Sequence, residues 1–200
     1  VKNYVNAIKL KKNYYEAYCN LSFSLFDLQF TKYDREVEKV IFFLLNQKTI
    51  VRPTNIGLAV ISIIKLNPCL SKELDEVSRS YNSESLLETI LKLSKLSLLL
   101  KYMSLAPIPD LELEAFLSKV RESLLLLNSE LGDSQEVVKF QSILALHCFT
   151  NEYIYYDNNK QIKALKELEN LVLSELHSGR QPSPNAILAL ASYKALNQFK

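Results

Sequence analysis

Glycine stands at only three of the 200 positions, Gly57, Gly132 and Gly179, each far from the others. Sandwiches, barrels and doubly wound sheets need glycine at many of their turns, so the chain is expected to be all-α. The expected architecture is an antiparallel helical array joined by short loops: a tetratricopeptide-like hairpin at the N-terminus, then a helical bundle or solenoid. The same scarcity bears on chemistry. Glycine-rich loops bring backbone amides close to phosphates and cofactors, and three isolated glycines cannot build one. No catalytic, cofactor-binding or metal-ligating residue is therefore assigned within the chain.

Helix punctuation divides the sequence. Pro53 opens an apolar run through Ile56, Ala59, Val60, Ile63 and Ile64, as proline does at a first helical position. That places Gly57 in a helix interior, where it permits close approach of a neighbour. Residues 86–105 are apolar on nearly every side and read as one central core helix headed by Ser83. Pro109 and Asp110 start the next helix, whose stripe is Leu113, Phe116, Leu117, Val120, Leu124 and Leu127. Acids Asp110, Glu112 and Glu114 fall in its first turns, where the helix dipole favours them. Gly132 is read as its left-handed cap. Asp133 and Glu136 are spaced as a capping pair for a helix carrying Phe140, Ile143, Leu144, His147 and Asn151. A further stripe holds Ile162, Leu165, Leu168, Val172 and Leu176, closed by Gly179. Ser183 and Pro184 open the last helix. This gives about nine helices, with residues 153–156 as the one candidate strand. The remaining acidic residues follow solvent-facing periodicity.

Hydrophobic residues make up 48% and charged residues 23% of the chain, enough for a packed core. The net charge is +2 with no long run of one sign, which argues against nucleic acid as a partner. Lys9, Lys11 and Lys12 form the densest basic patch and read as a solvated helix end. The longest uncharged stretch covers residues 53–64, well short of the roughly 18 apolar residues a span needs, so no membrane is expected. Cys19, Cys69 and Cys148 are an odd, scattered set that suits free thiols in a reducing, cytoplasmic compartment. His147 and His177 lie too far apart to suggest a zinc site.

The most distinctive polar grouping is His147, Asn151, Glu152 and Tyr153. His147 and Asn151 share a helix face, as do Cys148 and Glu152. The grouping is read as a buried polar network that fixes helix packing, or as an interaction surface. Adjacent His147 and Cys148 diverge by about 100° on a helix, which does not make a nucleophile–base pair.

Two resemblances follow from particular residues. Ala7, Ala17, Tyr18 and Leu21 match the small, aromatic and leucine positions across a tetratricopeptide repeat junction, with Lys12 and Ser22 where that pattern has proline and glycine. One generic amphipathic hairpin remains the alternative. Further on come Pro107-Ile108-Pro109-Asp110-Leu111-Glu112-Leu113-Glu114, then Arg121, then a segment starting His147-Cys148-Phe149-Thr150-Asn151-Glu152-Tyr153, and finally Tyr193-Lys194-Ala195-Leu196. This order resembles the leucine-rich helical region of bacterial proteins that carry tetratricopeptide repeats ahead of an S-adenosylmethionine-dependent methyltransferase domain. The resemblance implies tetratricopeptide-like helices over 1–46 and a leucine-rich helical domain over 47–200. The chain opens on Val1 inside a helical pattern, which is read as part of a longer protein. The expected function is a non-catalytic scaffold or protein-interaction segment whose partner is a protein or an adjoining catalytic domain. S-adenosylmethionine would belong to the parent protein and not to this segment. The alternative is a free-standing tetratricopeptide-type binding module.

Overall fold

In a computed structural model, residues 1–47, 49–75, 80–151, 153 and 156–195 are described. Among them are eleven α-helices, two short 3-10 turns and no strand. The chain is all-α. Helices α1 (Lys2–Leu10), α2 (Tyr15–Ser24) and α3 (Arg35–Asn46) precede a 3-10 turn at Pro53–Ile56 that runs directly into α4 (Gly57–Lys65). Then come α5 (Pro68–Asp75), α6 (Ser83–Leu93), α7 (Ser97–Met103) and α8 (Leu111–Leu126). The last three are α9 (Gln135–Cys148), α10 (Asn159–His177) and α11 (Pro184–Ala191). No single helix among the described residues is long and apolar enough to cross a membrane.

Short polar side chains set the helix starts by accepting hydrogen bonds from first-turn amides that have no partner within the helix. Asp34 accepts from the Glu36 and Val37 amides at 2.9 and 3.2 Å. Asp110 accepts from Leu113 at 2.8 Å, and its other oxygen takes the Lys65 ammonium at 2.8 Å, which ties the end of α4 to the start of α8. Burial works to lower the Lys65 pKa, but hydrogen bonds to Asp110 and Glu112 outweigh it and the net shift is upward. Asn82 with Ser85, and Asn158 with Gln161, form reciprocal capping boxes on α6 and α10.

One apolar cluster runs from Val5 to Leu144 and draws on α1 through α9. Leu21, Leu25, Ile63, Leu99 and Phe116 are fully buried in it, and Leu117, Leu124 and Leu144 nearly so. Leu91, expected in the core, is only half-buried. A second, smaller cluster joins Leu125 to Leu165, Leu168 and Val172 of α10 and to Ala186, Ala189 and Leu190 of α11. The small alanines let α11 lie close against α9.

Four local expectations are corrected. The single helix expected over 86–105 is two, α6 and α7, with a turn at residues 94–96. A straight helix apolar on every side needs neighbours all round it. The break instead gives α6 one buried face of Leu86, Ile90 and Leu93, and lets α7 bury Leu98, Leu99, Tyr102 and Met103 elsewhere. The Ser94 hydroxyl donates to the Leu91 carbonyl at 2.9 Å, competing with the backbone ladder at that point. Second, Gly132 is not left-handed; of the glycines, Gly179, at φ 73°, closes a helix that way. Third, α9 is capped by Ser134, not Asp133. The Asp133 carboxylate reaches instead to α11, accepting from the Ser183 hydroxyl at 2.9 Å and the Asn185 amide at 3.2 Å. Fourth, Ile162 and Leu176 of the α10 stripe face solvent, 54% and 55% exposed, because the cluster beneath α10 is narrow. The candidate strand at 153–156 includes Ile154 and Tyr155, which lie outside the described residues.

Candidate functional site

Not every acid faces solvent. Glu73 and Glu114 are 4% and 1% exposed. Glu73 on α5 accepts from Thr89 Oγ1 at 2.7 Å and from Lys92 Nζ at 2.8 Å, bridging α5 to α6. The hydrogen bonds that Lys92 donates to Glu73 and Glu88 push its pKa up.

Glu114 anchors the candidate site. It lies one turn into α8 on a second face, Glu114, Leu117, Ser118 and Arg121, that turns toward α9. Glu114 Oε1 is 2.7 Å from His147 Nε2 near the C-terminal end of α9. Glu114 Oε2 accepts from Asn151 Nδ2 at 2.7 Å. Asn151 follows α9 in a turn whose amide still donates to the His147 carbonyl at 3.0 Å. Its Oδ1 accepts from the Tyr153 amide at 2.9 Å, so one side chain fastens both α8 and the segment beyond α9. With Glu114 ionised, Nε2–H of His147 is the donor, and two charge-assisted hydrogen bonds offset the desolvation of the carboxylate.

Arg121, two turns further along α8, completes the group. Its guanidinium lies over the Tyr193 ring, 4.4 Å from the centroid, and 3.6 Å from Asp157 Oδ1. Burial pushes the Tyr193 phenol up to about 12, against the opposing pull of Arg121. Gln161 Nε2 is 3.5 Å from the Tyr193 hydroxyl. Burial likewise raises the Cys148 thiol, although Arg121 draws it the other way. A cleft of about 270 Å³ opens between these groups, lined by Glu114, Ser118, Arg121, His147, Cys148, Asn151 and Tyr153. His147 Nδ1 and Arg121 Nε are buried beside it without a hydrogen-bond partner among the described residues.

Of the four residues singled out from sequence, His147, Asn151 and Tyr153 meet at this cleft, and Glu152 lies outside the described residues. Phe149, between them, points outward and is 58% exposed. Glu114, Arg121, Cys148 and Tyr193, quoted from the same stretches, converge on the same place. Glu114 as the central carboxylate was hidden because its position in the first turns of α8 already accounts for an acid. The available signal was its spacing, three residues before Leu117 and seven before Arg121, on the face turned to α9.

Chemically, the arrangement suits holding helices together better than bond making. His147 Nε2 is taken by Glu114, while Cys148 is kept as the neutral thiol, so the pair lacks the hydrogen bond that activates a nucleophile. Among the described residues, no group of three or more His, Cys, Asp or Glu side chains could hold a metal ion. Compared with known proteins, the chain matches no family model, no curated protein and no solved structure.

Proposed function

We propose that this chain is a non-catalytic helical scaffold whose polar cluster sets the geometry of α8 to α11. The carrying observation is the use made of Glu114, the most deeply buried carboxylate among the described residues. Both of its oxygens are engaged by side chains from the far end of α9 and the turn after it. A buried carboxylate bound this way favours one helix arrangement over alternatives that would leave it unpaired. The order of residues from Pro107 to Leu196 supports the further proposal that the scaffold serves a tetratricopeptide-repeat methyltransferase-like protein. There it would orient an adjoining S-adenosylmethionine-dependent domain or its protein substrate. Calorimetric titration with S-adenosylmethionine tests this. The 200-residue chain is expected not to bind, and the natural chain continued past Lys200 is expected to bind. Tight binding by the 200-residue chain would overturn the scaffold reading.

A second reading, a free-standing tetratricopeptide-type binding module, is favoured by the side chains left in solvent on α1 to α3. Leu10, Tyr15, Phe23 and Phe43 are each more than half exposed. A reading frame that ends without a glycine-rich α/β domain would leave this as the better account.

A further inference from the structure

The outer face of α3 separates two clefts. Arg35, Lys39 and Phe43 recur every four residues along it and are all exposed, Phe43 by 54%. On one side lies a cleft of about 300 Å³ whose apolar wall is Ile8, Tyr18 and Val40. On the other lies one of about 620 Å³ walled by Phe42, Leu96 and Leu98. Lys39 and Phe43 line both, so the two clefts form one surface with Phe43 on the ridge between them. Single exposed apolar side chains are ordinary on a protein surface, but a ridge flanked by two apolar-walled clefts is not.

The charge around this surface has a definite sign. Five cations, Lys9, Lys12, Arg35, Lys39 and Lys95, line the clefts against two carboxylates, Glu36 and Glu38. That local excess is larger than the net +2 of the whole chain. Both carboxylates are already engaged. Glu36 holds Lys9 at 3.1 Å and Lys39 at 3.0 Å, which lowers its pKa. Glu38 accepts from the Tyr33 hydroxyl at 2.6 Å and from Asn67 at 3.4 Å. Lys12, Arg35 and Lys95 have no such carboxylate among the described residues.

We infer that this face docks an acidic polypeptide segment that places large apolar side chains in the clefts on either side of Phe43 and carboxylates against the surrounding cations. The apolar walls supply affinity, and the lysines and Arg35 supply orientation and discrimination against basic partners. A second copy of this chain suits the face poorly, since a two-fold contact would set the five cations against themselves. A nucleic acid would meet Glu36 and Glu38 in the middle of its path. This inference concerns a different face from the α8–α11 cluster and stands whether or not a methyltransferase domain follows.

The test is selection from a display library of short random peptides against the folded 200-residue chain, followed by fluorescence anisotropy on the enriched sequences. Enriched peptides are expected to be acidic with leucine or aromatic anchors, and to bind less tightly as salt rises. Phe43→Ala is expected to weaken them about tenfold or more, as truncating an aromatic anchor does. Lys39→Glu with Lys95→Glu should weaken them comparably. All three positions face solvent, so circular dichroism of the variants should match the parent. No enrichment, enrichment without acidic residues, or binding indifferent to all three substitutions would overturn the inference. So would oligouridylate binding, or self-association in sedimentation, that Phe43→Ala abolishes.

Discussion

A methyl group added at Gly57 would stand 2.6 Å from the Tyr102 hydroxyl oxygen. Tyr102 is wholly buried on α7 and cannot swing away, and Pro109 closes the same space at 3.1 Å. Alanine is the better helix former, by about 1 kcal/mol. Overpacking a core costs about 1–3 kcal/mol and here outweighs that gain. Gly57→Ala is therefore expected to lower stability in urea unfolding. The cost should be smaller when Tyr102 is also changed to phenylalanine, because the crowding oxygen is gone. Equal costs in both backgrounds would show that the contact does not limit position 57.

Breaking the buried Glu114 cluster should cost more than losing an exposed ion pair. Glu114→Ala removes the shared acceptor of His147 and Asn151, and about 3 kcal/mol of lost stability is expected. Asn151→Leu removes one donor from a half-buried site and should cost about 1–2 kcal/mol. The double variant should be less destabilised than the two losses added together, since both act on one hydrogen bond. Additive losses from urea titrations would mean that the two residues act separately.

The two surface glycines should respond oppositely to alanine. Gly179 sits at φ +73° with open space around it, so Gly179→Ala strains the backbone by about 1 kcal/mol or more. Gly132 has equally open space and no left-handed backbone, so Gly132→Ala should be neutral or stabilising by about 0.4–1 kcal/mol. Thermal melts of the two single variants decide this, and a destabilised Gly132→Ala would contradict it.

Tyr33 and Tyr193 link stability to alkaline pH. Burial pushes both phenols from the ordinary 10.0 up to about 12, with the hydrogen bond to Glu38 adding to the effect at Tyr33. The folded state thus favours the protonated phenol. This stabilisation is complete below pH 10 and is lost as the pH rises toward 12. Phenolate absorbance should show these two tyrosines ionising late, and melting temperature should fall over the same range. Tyr193→Phe should flatten part of that fall. A melting temperature independent of Tyr193 above pH 10 would count against its burial.

Helix class and most of the core were legible because the stripes are regular. The run from Leu113 to Leu124 keeps helical spacing throughout, and its apolar members are buried. What could not be read was set by partners distant in sequence. Residues 86–105 carry no periodicity, so nothing local marks the turn at 94–96. Asp133 is well placed to cap α9, and only the position of Ser183 and Asn185 shows that it serves α11. At the polar cluster, His147 and Asn151 could be paired from their spacing alone. Their common acceptor lies 33 residues before His147, beyond the reach of any local pattern.

The separation of the two apolar clusters has a consequence for lifetimes. Among the described residues the smaller cluster buries seven apolar side chains, two of them alanines, so less apolar surface holds it shut. Besides the packing of α11 on α9, polar bonds join it to the rest, including Asn128 to the Asn185 carbonyl, Asn185 to the Gly132 carbonyl and Asn158 to Glu122. Water competes for such bonds at every instant, as it cannot for a sealed leucine. The amides of α10 and α11 are thus expected to exchange through partial openings that leave α3, α4 and α7 closed, the last helices opening first.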